Sequence, residues 1–195
     1  MLHPHTRLAK SRINAQGVFA TTVIPRGTII WRPDSSMRTY PPDTDFSRFS
    51  VRYQALLEKY SYWDGHNWIY LTDISKYINH SCAPNTAPLF MAEKDFSDPQ
   101  FDVALRAIAK DEEITYDYAH IFDPEDYLLC QCGTSNCRKE IRVFDHASVL
   151  YKTILATACQ AAQFAHQVPQ PLFKPTELCF CGSGKNYGQC VNNEK

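Results

Sequence analysis

Apolar positions along the chain recur with two periods. Phe46, Phe49, Tyr53, Leu56, Leu57 and Tyr60 are spaced as one face of a helix, which predicts a core-facing helix with Asp45 as its cap. Leu150, Ile154, Ala158, Ala161 and Ala165 repeat that spacing and predict a second helix from about His146 to His166. Elsewhere the pattern is one of short strands bounded by Gly, Pro, Asp or Asn. Arg12–Thr21 and Thr28–Arg32 flank a turn at Pro25-Arg26-Gly27. Trp68–Leu71, Thr86–Met91, Phe101–Ala109 and Glu113–Tyr118 read as further strands. Several short strands with no βαβ rhythm indicate an α+β domain that is mostly β.

The segments between these elements carry their own signals. Pro33–Asp45 is rich in Pro, Asp and Ser and reads as a loop. Val168–Pro175 reads as an extended linker, because its prolines bias the chain toward polyproline conformations. A small cysteine-bearing module, Glu177–Val191, follows it.

Composition narrows the class. Of 195 residues, 44% are apolar and 21% charged, which describes a folding sequence rather than a disordered one. No apolar run approaches the roughly 18 residues of a membrane span, so no membrane role is expected. The stretch from Met1 to Gly17 is polar and basic without an apolar core, which argues against a secretory signal and for an intracellular protein, cytoplasmic or nuclear. The net charge of −1 does not suggest direct binding to nucleic acid.

Three segments carry the chemistry. Tyr77-Ile-Asn-His-Ser-Cys82, continuing to Asn85, offers donors and acceptors to a polar ligand with a thiol close behind. Ala104 to Tyr118 predicts two strands around a turn at Lys110-Asp111, with Tyr116 and Tyr118 on one face of the second. Cys130-Gln-Cys132-Gly-Thr-Ser-Asn-Cys137 is a metal signal, yet it leaves a tetrahedral site one ligand short. Cys82 completes it if the fold brings it near. Six of the eight cysteines lie in two Cys-x-Cys-Gly clusters, and thiolates converging on one point suit a metal better than separate disulfides.

Together these segments resemble a SET domain. The shared motifs are the Asn79-His-Ser-Cys82 loop, the Glu112-Glu-Ile-Thr-Tyr-Asp-Tyr118 segment and the post-SET Cys130-x-Cys132-x4-Cys137. The opening, Gln16-Gly17-Val18-Phe19-Ala20 followed by Ile24-Pro-Arg-Gly27, is similar to the family's cofactor-binding start. Four motifs in family order over roughly residues 11–142 are specific where one alone is not. Two positions depart from the pattern: Ala15 replaces the first glycine of a Gly-x-Gly, and Asp111 stands where glycine is usual.

The resemblance implies a fold of small antiparallel sheets with a knot-like threaded C-terminal segment. It divides the chain into a SET domain (1–121), a post-SET zinc region (122–145), a helix (146–167), a linker (168–176) and a cysteine motif (177–195). The implied activity is S-adenosylmethionine-dependent methylation of a lysine on a protein or peptide. Gln16, Gly17, Val18, Phe19, Tyr77, Asn79 and His80 would contact the cofactor. Tyr118 would be the catalytic tyrosine and Tyr116 would line the lysine channel, its hydroxyl favouring mono- and dimethylation. Cys82, Cys130, Cys132 and Cys137 would hold zinc. The peptide groove would come from the segments Pro33–Asp45 and Met91–Gln100. A catalytically silent, zinc-stabilised interaction module is the alternative, and a redox-active cysteine protein is a third.

Cys179-Phe-Cys181-Gly-Ser-Gly-Lys-Asn-Tyr-Gly-Gln-Cys190 resembles a SEC-C motif, a short zinc-binding tail. Val191 stands where that family has a further Cys or His, so a second metal site would be one ligand short. Its expected use is protein contact. Cys159 reads as a buried small hydrophobe, His3 and His5 as a pair at a frayed terminus, and Asp123, Glu125 and Asp126 as a solvated turn.

Overall fold

Val18, Ala20, Ile24, Ile30, Ala104, Ile108 and Ile114 come from separate stretches of the chain and meet in one core cluster, each at most 1% exposed. The structure is a computed structural model that describes residues 1–33, 37–63, 66–89, 101–121, 127–144 and 149–163. The segment Met91–Gln100, the acids Asp123, Glu125 and Asp126, the linker, and Cys179, Cys181 and Cys190 lie outside those residues, as does the side chain of Cys159.

The chain opens with a hairpin of β1 (Thr6–Lys10) and β2 (Gln16–Ala20), then β3 (Ile29–Trp31) and β4 (Arg38–Tyr40). Helix α1 (Val51–Tyr60) leads directly into β5 (Ser61–Trp63) and β6 (Trp68–Tyr70). Next come β7 (Asn79–His80), β8 (Thr86–Leu89), β9 (Phe101–Ala104) and β10 (Glu113–Tyr116). The hairpin β11 (Leu128–Leu129) and β12 (Glu140–Ile141) precedes helix α2 (Val149–Gln163). Among the described residues the sheets run β1-β2-β10-β7, β3-β9-β8, β4-β6-β5 and β11-β12. Antiparallel pairing prevails, with β7 and β10 parallel. The α+β, mostly β class is the one expected.

Helix α2 lays Ala158 and Ala161, both fully buried, on the β3-β9-β8 sheet beside Ile29, Leu89 and Val103. Small residues on that face let the helix approach the sheet closely. Among the described residues no helix is long and apolar enough to cross a membrane.

Several sequence expectations are corrected. The first strand begins at Gln16, not Arg12, because residues 11–15 form the turn of a hairpin whose other arm, β1, was not anticipated. The presumed loop Pro33–Asp45 contains β4, a short polar edge strand that pairs with β6. The helix from Phe46 splits in two: Asp45 caps a single 3-10 turn, and Ser50 caps α1 by accepting the Tyr53 N–H. Nor does its stripe face the main core. Only Leu57 of α1 is buried, while Phe49 and Tyr53 stack edge-on with Tyr40 and Tyr70 over the β4-β6-β5 sheet. The strand from Phe101 ends at Ala104. His3 is not at a frayed end: it is 5% exposed, and its N–H donates to the Ile30 carbonyl. Burial, helped by His5, holds its imidazole down to about 4, so it sits in the protein neutral.

Candidate functional site

Strands β2, β10 and β7 lie side by side and bring the opening motif, the Glu112–Tyr118 segment and the Asn79-His80 loop together. Thr115 pairs with Asn79 and Tyr116 with His80. Asn85 anchors β10 beside this pairing: its Oδ1 accepts the Thr115 N–H at 2.9 Å and its Nδ2 donates to the Glu113 carbonyl at 2.8 Å. Thr86 Oγ1 donates to the Thr115 carbonyl and the Ser81 N–H to the Tyr116 carbonyl. Asn85 is 2% exposed, so these bonds form away from competing water.

At the edge of this junction Asn79 Nδ2 donates to the Gln16 carbonyl at 2.8 Å and to Glu113 Oε1 at 2.7 Å. Ser11 Oγ donates to the same carboxylate. Gly17 sits under it: a Cβ there would lie 2.2 Å from Glu113 Oε1 and 3.0 Å from Asn79 Nδ2. A side chain there would have to push the Glu113 carboxylate off its bonds to Asn79 and Ser11, so the glycine makes room for this arrangement. Asp111, where glycine was expected, takes φ 64, a conformation Asp tolerates, and its carboxylate pairs with Arg7.

Strand β10 ends at Tyr116. Asp117 then caps a 3-10 turn by accepting the Ala119 N–H, so Tyr118 is not on the strand. Both tyrosines nonetheless line one cavity of about 260 Å³. Tyr118 donates its hydroxyl proton to the Ile78 carbonyl at 2.7 Å. Burial, with the Glu113 carboxylate and the Tyr60 phenol, pushes Tyr118 up to about 12, so it is a neutral phenol at ordinary pH. His80 Nδ1 accepts the Tyr118 N–H at 3.2 Å, which assigns the proton to Nε2, 3.4 Å from Cys82 Sγ. Burial lowers the His80 pKa although Asp117 opposes it, so the 3.6 Å approach of Asp117 is a neutral contact rather than an ion pair.

The sulfurs of Cys82, Cys130, Cys132 and Cys137 all lie within 4.8 Å of one another. Cys130 is 3.8 Å from Cys82 and 3.7 Å from Cys137. Four thiolates around one tetrahedral ion with metal–sulfur bonds of about 2.3 Å would be about 3.8 Å apart. The donor set thus fits a single metal ion, and the four thiols are free rather than disulfide-bonded. Burial raises the Cys82 and Cys130 thiols. Burial acts the same way on Cys132, but hydrogen bonds from the Cys82 backbone and Thr134 prevail and lower it.

Arg138 ties this cluster to the junction. Its backbone N–H donates to Cys82 Sγ at 3.3 Å, and its guanidinium bonds Asp117 Oδ1 at 2.5 Å while lying over Phe144. Asp117 is 2% exposed, and this is the ion pair that holds the 127–144 segment against the corner carrying Tyr118.

The predicted residues therefore divide. Gln16, Gly17, Asn79, His80, Tyr116 and Tyr118 converge around the junction and its cavity, and the four cysteines gather beside it. Val18 points into the core and Phe19 packs beneath Arg7, so only their backbone is at the junction. Tyr77 stacks edge-on against Tyr60. Ser11, Asn85, Glu113, Asp117 and Arg138 were not singled out from sequence. Asn85, Glu113 and Asp117 lay inside quoted segments, but nothing in the spacing marks which of their residues support the others.

Parts of this chain are similar to known proteins. Human histone-lysine N-methyltransferase 2D is 43% identical over 67 residues, 33% of this chain and 1% of that protein. Human histone-lysine N-methyltransferase EHMT1 is 34% identical over 96 residues, 47% of this chain and 7% of that protein. The chain thus spans only a small part of these relatives. A solved Plasmodium falciparum chain described as a candidate histone methyltransferase superposes with a TM-score of 0.43 at 21% identity, over 61% of this chain and 96% of that one. Residues 176–190 match the SEC-C motif. The SET domain matches residues 15–119, more than half of the chain, and this protein belongs to the SET-domain family.

Proposed function

We propose that this chain is a protein-lysine N-methyltransferase that uses S-adenosylmethionine, carries a structural zinc on Cys82, Cys130, Cys132 and Cys137, and adds mainly one or two methyl groups. The observation that carries the reading is the neutral Tyr118 phenol at the cavity wall, beside the Asn79–Glu113–Gln16 edge. Gln16, Gly17, Tyr77, Asn79 and His80 would hold the cofactor there, with Val18 and Phe19 contributing backbone only. The Glu113 carboxylate suits a cationic ligand. When bound, the cofactor supplies an activated methyl on a sulfonium.

The chain's own residues do the positioning. Methyl transfer needs the lysine nitrogen in line with the donor, so orientation is most of the work. With its proton committed to the Ile78 carbonyl, Tyr118 presents oxygen lone pairs to an amine N–H in the cavity. Its raised pKa rules out a phenolate base at neutral pH. The lysine must enter as the free amine, and an aromatic, poorly hydrated channel lowers its pKa from the unperturbed value of about 10.4. The Tyr116 hydroxyl can hold a water that each further methyl must displace at the cost of hydrogen bonds.

Free thiols at the cluster suit a reducing, intracellular compartment. The SEC-C tail, with Cys179, Cys181 and Cys190, would serve protein contact. Tyr118→Phe decides the catalytic reading. We expect at least about a hundredfold loss of kcat with cofactor binding kept, as for a lost transition-state hydrogen bond. Near-normal turnover would refute the role of Tyr118, and cofactor binding without transfer to any protein by the unmodified chain would favour the interaction-module alternative. Tyr116→Phe should shift products toward trimethyl-lysine by mass spectrometry; abundant trimethyl-lysine from the unmodified enzyme overturns that part.

A further inference from the structure

The cavity that Tyr116 and Tyr118 line has another wall that the proposed chemistry does not use. Asp102 of β9 lines it, and its cross-strand partner Trp31 of β3 lines it too. Strand β9 is buried throughout: Phe101 and Val103 pack in the cluster beneath α2, while Asp102 lies between them, 9% exposed. Trp31 is 4% exposed. Asp102 Oδ1 and Trp31 Nε1 are both buried without a hydrogen-bond partner. An apolar side chain at position 102 would leave no such oxygen, so this carboxylate is a cost to the fold that a bound group would offset.

The charged groups around it do not satisfy it. Burial pushes the Asp102 carboxyl up to about 7, and the Met1 ammonium, itself bonded to the Arg32 carbonyl, opposes this only in part. Lys59 and Lys76 also border the cavity, but their ammonium groups lie over the Tyr60 ring, at 5.2 and 5.6 Å. Glu58 adds a further negative charge to the wall. The aromatic wall continues from Trp31 to Tyr62, whose rings meet edge-on at 6.3 Å. A carboxylate and aromatic rings lining one cavity are complementary to a cation, since both attract positive charge.

We propose that Asp102, with Trp31 and Tyr62, is a subsite for a cationic side chain, an ammonium or guanidinium, of the polypeptide substrate. This rests on the reading of the cavity as the place where the substrate lysine enters. Two sources share the chemistry: the target lysine before it loses its proton, and a basic residue beside it.

Binding is tested first without turnover, on the full chain, by following the Trp31 indole N–H resonance, assigned with Trp31→Phe. Butylammonium and butylguanidinium should each move it saturably, and butanol should not. Asp102→Asn, which keeps the shape of the side chain, should weaken the cations at least about tenfold, as expected for removal of one partner of a desolvated charge pair. Peptides then separate the sources. Each carries one lysine, in neutral surroundings or with arginine at each flanking position in turn. An arginine preference in kcat/KM that Asp102→Asn abolishes identifies the neighbour; equal Asp102 dependence on every peptide identifies the target lysine. The subsite is overturned if the indole resonance ignores the cations, or if it responds to them equally in Asp102→Asn. Normal methyl transfer without that response sinks the subsite alone. A full response with no transfer to any protein sinks the methyltransferase reading and leaves the subsite standing.

Discussion

The β2–β10–β7 junction and the cysteine segment 127–144 lie against each other and are held by opposite means. At the junction the ties are internal: the packing of Val18 and Ile114 in the core, and hydrogen bonds between groups the chain itself supplies. Asn85 grips the β10 backbone on either side of Ile114, Asn79 and Ser11 converge on Glu113, and Gly17 leaves the room that this requires. Such a network needs no ligand to be complete. The cysteine segment has one short hairpin and a small cluster, Ala119, Cys130, Ile141 and Phe144, too little to order eighteen residues by burial alone. Its three sulfurs gather with that of Cys82 at a metal's spacing, so a bound metal would order it. Two parts of one site can thus be preorganised to different degrees, and Arg138 joins them.

The largest test of this contrast removes the metal. Chelation, or Cys130→Ser, should release about one zinc per chain and expose the amides of 128–141 to hydrogen exchange at least about a hundredfold faster, since structural zinc contributes on the order of 10 kcal/mol in small sites. The amides of β2 and β10 should keep their protection. Full zinc occupancy in a variant lacking Cys130 and Cys132, with the tail deleted, would refute the metal assignment.

A smaller effect is expected at the junction. Gly17→Ala places a methyl against Glu113 and should cost about 1–3 kcal/mol in denaturant unfolding, the range for overpacking. Adding Glu113→Ala should relieve part of this, giving a coupling of at least about 0.5 kcal/mol. Strict additivity would mean that the two side chains do not compete for that space. Zinc content should stay unchanged in both variants, which is what separates the two regions.

The smallest effect tests the link. Arg138→Met leaves the buried Asp117 carboxylate without its ion-pair partner and should cost about 1–2 kcal/mol, moderated because the guanidinium is 25% exposed. Asp117→Asn in the same chain should recover part of it. If the link matters to the site, cofactor affinity measured by calorimetry drops in Arg138→Met while one zinc is retained. Unchanged affinity would make the pair a local tie of the 127–144 segment only.

Much of the chemistry was legible in the chain because it resides in residue types at short spacing. The three-cysteine run implied a metal, and Asn79-His80 and Glu112–Tyr118 together pointed to one family. The main helix at 149–163 and most strands followed from periodicity. The edges were not legible: β1 and β4 are short and polar, and their pairing energy comes from a neighbour that local sequence does not name. The aromatic stripe of α1 had helical spacing, but that spacing does not tell which surface it covers.

By itself, then, the sequence determined the class of fold and named the four cysteines and the two tyrosines. Tertiary structure decided that Cys82 joins the other three cysteines from 48 residues away. It decided that Tyr116 and Tyr118 meet in a cavity although Asp117 ends their strand between them. It also decided which buried groups are satisfied, such as Glu113 by Ser11 and Asn79, and which are not, Asp102 and Trp31 among them. The physical reason is that residue type and spacing specify what a side chain can do, whereas burial and partners are properties of strands brought together from distant parts of the chain.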